Sequence, residues 1–180
     1  TVEDSRYGNM KVVHFFAFVI VCLGLSSCNK IPDPQFTHSM EIAFDIPPSL
    51  NTIETHYFLL PNTPTFLNLS LSGNGFQEED ITSIKSQNAK FFEIDQNVNL
   101  DFINSIVINA YTDDDEIELF YHENIQFGNK EDIQLLASIP ELIDFMSNEF
   151  VNIEVGIRFR QFPPANFRAK IELDFSVYAE

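Results

Sequence analysis

Val151, Ile153, Val155, Ile157 and Phe159 alternate without a break with Asn152, Glu154, Gly156, Arg158 and Arg160. Phe167, Ala169, Ile171, Leu173, Phe175 and Val177 do the same against Arg168, Lys170, Glu172, Asp174 and Ser176. A period of two places every apolar side chain of such a run on one face of a pleated strand, and a helix cannot segregate it. Met40, Ile42, Phe44 and Ile46 repeat the pattern until Pro47-Pro48 stops it. The chain is therefore expected to be built from strands with one buried face.

The rest of the sequence divides around turn signals. A second strand is expected from about Thr52 to Leu60, ending at Pro61-Asn62-Thr63-Pro64. A third is read from Leu67, Leu69 and Leu71 against Phe66, Asn68 and Ser70, followed by the loop Ser72-Gly73-Asn74-Gly75. Glu78 to Ile84 reads as a short helical turn, and Ile84 to Ile94 as a longer strand. Asn104–Tyr111 and Glu116–His122 flank Thr112-Asp113-Asp114-Asp115 and read as a hairpin. Gln161–Asn166, with Pro163-Pro164, is expected to join the last two strands into a terminal hairpin. One helix is expected, opened by a capping box over Ser138-Ile139-Pro140-Glu141, carried by Leu142, Ile143, Phe145 and Met146, and ending near Asn148.

Together these imply an all-β fold: an antiparallel β-sandwich of about eight or nine strands with one short helix in a crossover. An up-and-down barrel is the second choice, and the pattern does not suit a transmembrane barrel. The expected core is Ile42, Phe44, Leu69, Ile106, Ile108, Val155, Ile157, Ile171, Leu173 and Phe175. With 44% hydrophobic residues and 13% aromatics, neither a disordered chain nor a coiled coil is compatible with the composition.

The N-terminal region follows other rules. Met10-Lys11 precedes Val12–Leu25, apolar except for His14, and Ser26-Ser27-Cys28 follows. A positive start, a short apolar run and small residues at the break make an export signal. The run falls short of the about 20 residues that span a bilayer. Leu25-Ser26-Ser27-Cys28 resembles the bacterial lipobox. The resemblance implies cleavage before Cys28 and a diacylglycerol thioether on its sulfur, with acylation of the new amine. Residues 1–9, which carry Glu3 and Asp4, are set aside as upstream of the start. The expected organisation is a signal over 10–27, lipidated Cys28 and tether over 28–36, and a β-domain over 37–180. Asn29–Gln35 extended would reach roughly 20–25 Å. Lipobox, Pro-bearing tether and Phe-rich sandwich together are similar to envelope lipoproteins of Bacteroidota. That likeness implies a membrane-bound location in the cell envelope, most simply the outer membrane.

Charge narrows the partners. Ten Lys and Arg stand against 27 Asp and Glu, a formal net charge of −17. Removal of residues 1–27 takes away Arg6, Lys11, Glu3 and Asp4, so the net charge is unchanged. A field of this sign repels nucleic-acid backbones, so no nucleic-acid partner is expected. Cys22 leaves with the signal and Cys28 becomes the anchor, so no disulfide is expected.

No nucleophile, nucleotide-binding or zinc-ligand motif occurs. His38, His56 and His122 have no ligand spacing, so no metal and no cofactor is expected beyond the lipid on Cys28. Asp113-Asp114-Asp115-Glu116 and Glu78-Glu79-Asp80 read as solvated acidic loops, although the first leaves Ca²⁺ as an open question. The candidate binding residues are Arg158, Arg160, Arg168 and Lys170, expected to gather on the outward face of the terminal hairpin and to contact an acidic envelope protein or a polyanionic glycan. The plainer reading pairs them with Glu154, Glu172 and Asp174. The function expected is a non-catalytic binding or assembly module on a membrane; the alternative is an envelope hydrolase, such as a glycoside hydrolase, whose acid pair has no sequence signature.

Overall fold

The computed structural model describes residues 33–94, 98–112 and 115–180. The export signal, Cys28, Asp113 and Asp114 lie outside the described residues. Eight strands form: β1 (Phe36–Ile46), β2 (Thr55–Pro64), β3 (Ile81–Glu93), β4 (Ile103–Tyr111), β5 (Glu116–His122), β6 (Asp132–Ala137), β7 (Phe150–Phe159) and β8 (Phe167–Ala179). Two short α-helices, α1 (Leu67–Asn74) and α2 (Ile143–Met146), and two 3-10 turns, Glu78–Asp80 and Leu100–Phe102, interrupt them, so the helical turn expected over Glu78–Ile84 ends at Asp80 and Ile81–Ile84 belongs to β3. The fold is all-β and every strand pair is antiparallel.

The sheet order is β1-β8-β3-β6-β5-β4-β7-β2. β5 and β6 pair through only Phe120–Ala137 and Tyr121–Leu136, so the sheet divides there into two four-stranded halves. Phe120 of β5 and Phe175 of β8 meet between the halves, ring centroids 5.7 Å apart. On the side opposite β5–β6, the two end strands approach through Phe44 of β1 and Phe58 of β2, at 5.2 Å. The architecture is a sandwich closed on one side by backbone pairing and on the other by a side-chain seam, which makes it nearly a barrel.

The strict alternations behave as the pleat requires. Every odd residue from Val151 to Phe159 and from Phe167 to Val177 is buried, as are Met40, Ile42, Phe44 and Ile46. The β4–β5 hairpin forms, its loop closed by Thr112 N–H donating to the Asp115 carbonyl at 2.7 Å. Gly156 leaves room on β7 for its neighbours: a Cβ there would stand 2.8 Å from Val107 Cγ1 and 3.1 Å from Tyr57 Cε1.

Three local expectations are corrected. First, β7 and β8 are not a hairpin. β7 lies between β4 and β2 and β8 between β1 and β3, so the connection crosses from one half to the other. The connection is longer than a two-residue hairpin turn, and Pro163 within it is buried and accepts a hydrogen bond from Ser49 N–H at 3.4 Å. Second, Leu67–Leu71 is helical. Leu67 and Leu71 share a face in a helix as well as in a strand, and Gly75 at φ 83° ends α1 in the left-handed conformation. Leu67 and Leu71 are buried, whereas Leu69, expected in the core, is 71% exposed. β6 supplies the strand that α1 does not. Third, the helix after Ser138 is a single turn, and Ser138 does not cap it. Ser138 Oγ donates to Glu118, while the Glu141 carboxylate accepts from Leu142 N–H at 3.0 Å and, across the fold, from Ile84 N–H at 2.7 Å.

The strand directions define two ends. Asp33 enters and Glu180 leaves at one, here the entry end, together with α1, α2 and the β4–β5 loop. The other, the far end, gathers the loops 47–54, 123–131 and 160–166.

Candidate functional site

The four basic residues singled out from sequence all lie toward the far end, but they do not form one patch. Arg158 and Arg160 close β7 and Arg168 and Lys170 open β8, and these strands belong to different halves. Lys170 pairs with Glu41 and, at 3.6 Å, with Glu172, so one element of the plainer reading holds. These contacts, led by the hydrogen bond to Glu41, raise its pKa. Arg160 is a structural clamp. Its Nε and Nη2 donate to the Ile103 carbonyl at 3.0 and 2.7 Å, and Nη2 also reaches the Ile125 carbonyl. Its guanidinium lies 4.3 Å from the Phe127 ring centroid. Arg158 and Arg168 are exposed and, among the described residues, form no ion pair within 4 Å. Asp174 and Glu154 take other roles: Asp174 accepts from Ser39 at 2.6 Å, and burial followed by the nearby Glu116 charge raises the Glu154 pKa.

Arg160→Ala is therefore expected to destabilise the fold by about 1–3 kcal/mol, because charge-assisted bonds to carbonyls of two buried isoleucines are lost. Chemical denaturation of the variant checks this, with Arg158→Ala as the neutral comparison.

A Ser–His contact, absent from the sequence reading, sits at the seam. His38 continues the inward register of Met40 and Ile42 and is only 2% exposed. Its Nδ1 lies 2.8 Å from Ser70 Oγ on α1. Its ring stacks on Phe175 at 6.4 Å, and among the described residues Nε2 has no hydrogen-bond partner. In a nucleophilic triad the nitrogen opposite the serine is held by a carboxylate. Here that nitrogen faces the core, and the contact fastens α1 to β1. Burial lowers the His38 pKa, with the Thr65 backbone opposing only in part. In the unfolded chain the imidazole takes up a proton near pH 6.5, and the folded state resists it. His38 stabilises the fold fully above that pH, and its contribution is lost as pH falls toward the folded pKa. We expect the melting temperature to drop between pH 7 and pH 5, and the drop to shrink in His38→Phe.

His56 and His122 are likewise placed structurally, His56 Nε2 lying 2.9 Å from the Asn51 carbonyl and His122 Nδ1 2.7 Å from the Gln134 carbonyl. Among the described residues no cluster of three or more His, Cys, Asp or Glu is arranged to hold a metal ion.

The entry end carries the more distinctive surface, which sequence reasoning missed because it took Leu67–Leu71 for a strand. Phe66 precedes α1 at φ 53°, in the left-handed region that costs a bulky residue about 1–2 kcal/mol. Its ring is 62% exposed, beside exposed Leu69. Three hollows of about 420, 490 and 450 Å³ run across this end. The first and second share Glu149 and Phe150, and the second and third share Asn68, so the three are neighbours in a broken furrow, of which the second and third flank α1. No protein-family model matches the chain, and no curated protein matches it in sequence.

Proposed function

We propose that this chain is a lipid-anchored lipoprotein of a bacterial envelope, held in a membrane through Cys28 and acting as a non-catalytic binding or assembly module. The observation that carries the reading is the lipobox Leu25-Ser26-Ser27-Cys28 at the end of an apolar export run, five positions ahead of Asp33, where the compact β-unit begins. That spacing suits an anchor followed by a brief tether, about 17 Å when extended. No helix of the described residues is long and apolar enough to cross a membrane.

Further support comes from the form of the domain. A nearly closed barrel holds its loops rigidly at two ends, and such loops are where antiparallel sandwiches commonly bind. The exposed Arg158 and Arg168 at the far end fit contacts with an acidic envelope protein or glycan, each acting from its own half of the sheet. Metabolic labelling with a radioactive fatty acid tests the anchor. The wild-type chain is expected to carry label and to fractionate with membranes, and Cys28→Ser is expected to lose both. Label that persists in Cys28→Ser would overturn the reading.

A further inference from the structure

We infer that the furrow over α1 is a binding site for a basic segment of another protein that carries aromatic or aliphatic anchors. The floor and rim supply both halves of this recognition. Phe66, Leu69 and Phe150 are 62, 71 and 50% exposed and line one stretch of it. Monomeric domains seldom leave such side chains side by side without a partner. Phe66 is held outward by a backbone conformation that bulky residues avoid, and strained positions of this kind cluster at ligand-binding sites.

The charge of the rim selects among occupants. Glu149 lines the first two hollows and Glu78 and Glu79 the third, and no basic side chain lines any of them. Asp80 and Glu180 adjoin through a 3.0 Å backbone hydrogen bond, adding two more acids to this end. Of the described basic residues only Lys85 belongs here, while Lys90, Lys130, Arg158, Arg160, Arg168 and Lys170 all lie toward the far end. An anionic lipid surface would be repelled by this rim, and so would a second copy of a chain whose net charge is −17. A cationic segment is attracted to it, and its apolar anchors bury the exposed rings.

This inference rests on the reading of the domain as a binding module but not on the lipid at Cys28, which the assay leaves intact and scores separately. The full chain in a non-ionic detergent is titrated with a fluorescent peptide alternating Lys with Leu and Phe, and with the same peptide carrying Glu for Lys. The Lys peptide is expected to bind with an affinity that falls as salt rises, and the Glu peptide is expected not to bind. Phe66→Ser with Leu69→Ser should weaken Lys-peptide binding at least tenfold, and Glu78→Gln, Glu79→Gln and Glu149→Gln together should weaken it and flatten its salt dependence. Circular dichroism melts check that both variants remain folded. Equal binding by wild type and both variants overturns the proposal. So does protection of residues 64–69 from hydrogen exchange on transfer of the full chain to phosphatidylcholine vesicles without peptide, which would make the lipid surface the occupant. Self-association lost in Phe66→Ser with Leu69→Ser would overturn it in favour of a second copy.

Discussion

Phe175→Ala is expected to lower the stability of the β-domain by about 3–5 kcal/mol, the range for emptying an aromatic site in a packed core. For a domain of this size that corresponds to a fall in melting temperature on the order of 10 °C. Phe175 is fully buried, and its ring lies between His38 and Phe120, at 6.4 and 5.7 Å. It therefore joins β8, the seam strand β1 and β5 of the opposite half, so the cavity left by Ala would open where the two halves meet. None of these strands can close the gap by a local shift without disturbing a backbone ladder. A thermal melt that matches the wild type would show that the inward face of β8 has been assigned wrongly.

The second large effect concerns a residue that sequence reasoning marked for a different reason. Glu141→Ala is expected to cost about 1.5–3 kcal/mol, the range for charge-assisted hydrogen bonds and a stranded buried donor. The carboxylate accepts from Ser83 Oγ at 2.5 Å, Ile84 N–H at 2.7 Å, Leu142 N–H at 3.0 Å and Ile143 N–H at 3.3 Å. Ile84 is fully buried, and its carbonyl accepts from Leu142 N–H at 3.0 Å, so one side chain closes a reciprocal bridge between β3 and the turn before α2. Burial alone would raise the Glu141 pKa, but these donors outweigh it and hold the pKa below the usual carboxylate value. A depressed carboxylate stabilises the fold above its unfolded pKa, about 4.3, and that contribution disappears as pH falls through the folded value. The difference between wild type and Glu141→Ala should therefore be full at neutral pH and narrow below pH 4, a range distinct from that of His38. Hydrogen exchange at the Ile84 amide should accelerate in the variant. An unchanged Ile84 amide would contradict the bridge.

These two residues also show what a sequence can reveal about this fold. Phe175 was legible because it lies in an unbroken period-two run, and such a run has only one way to bury its apolar members. The faces of β1, β4, β7 and β8 could be read for the same reason. Glu141 was legible as a cap but not as a bridge, because its second set of partners on β3 lies more than fifty residues away in sequence. The β7–β8 hairpin failed similarly: adjacency in sequence suggested pairing, whereas each strand finds two longer-range partners. Leu67–Leu71 was ambiguous in principle, since alternate leucines also satisfy an i, i+4 stripe. The signals that favoured a helix were the absence of β-branched residues and the Gly75 stop. Of the four basic residues, their clustering near one end was visible from the short span between β7 and β8. That Arg160 turns back to grip two backbone carbonyls depends on where the start of β4 and the loop 123–131 come together, and no local pattern encodes it.

The furrow over α1 was hidden by the same misassignment of Leu67–Leu71. Once Leu69 and Phe66 face solvent, the entry end becomes an acidic surface with exposed apolar side chains, while six of the seven described basic residues lie toward the far end, interspersed with acids. The basic residues are thus distributed unevenly along the strands, and Asp33, where the β-unit begins, lies at the end that holds few of them.

The central claim is that Cys28 is the lipid-bearing first residue of the exported protein. The most direct measurement is intact-mass and fragment-ion spectrometry of the chain recovered from cells that produce it with its export segment. The result expected is a protein that begins at Cys28, with a thioether-linked diacylglycerol on its sulfur and the β-domain otherwise unmodified. A chain that retains residues ahead of Cys28, or that carries a free thiol there, would contradict it.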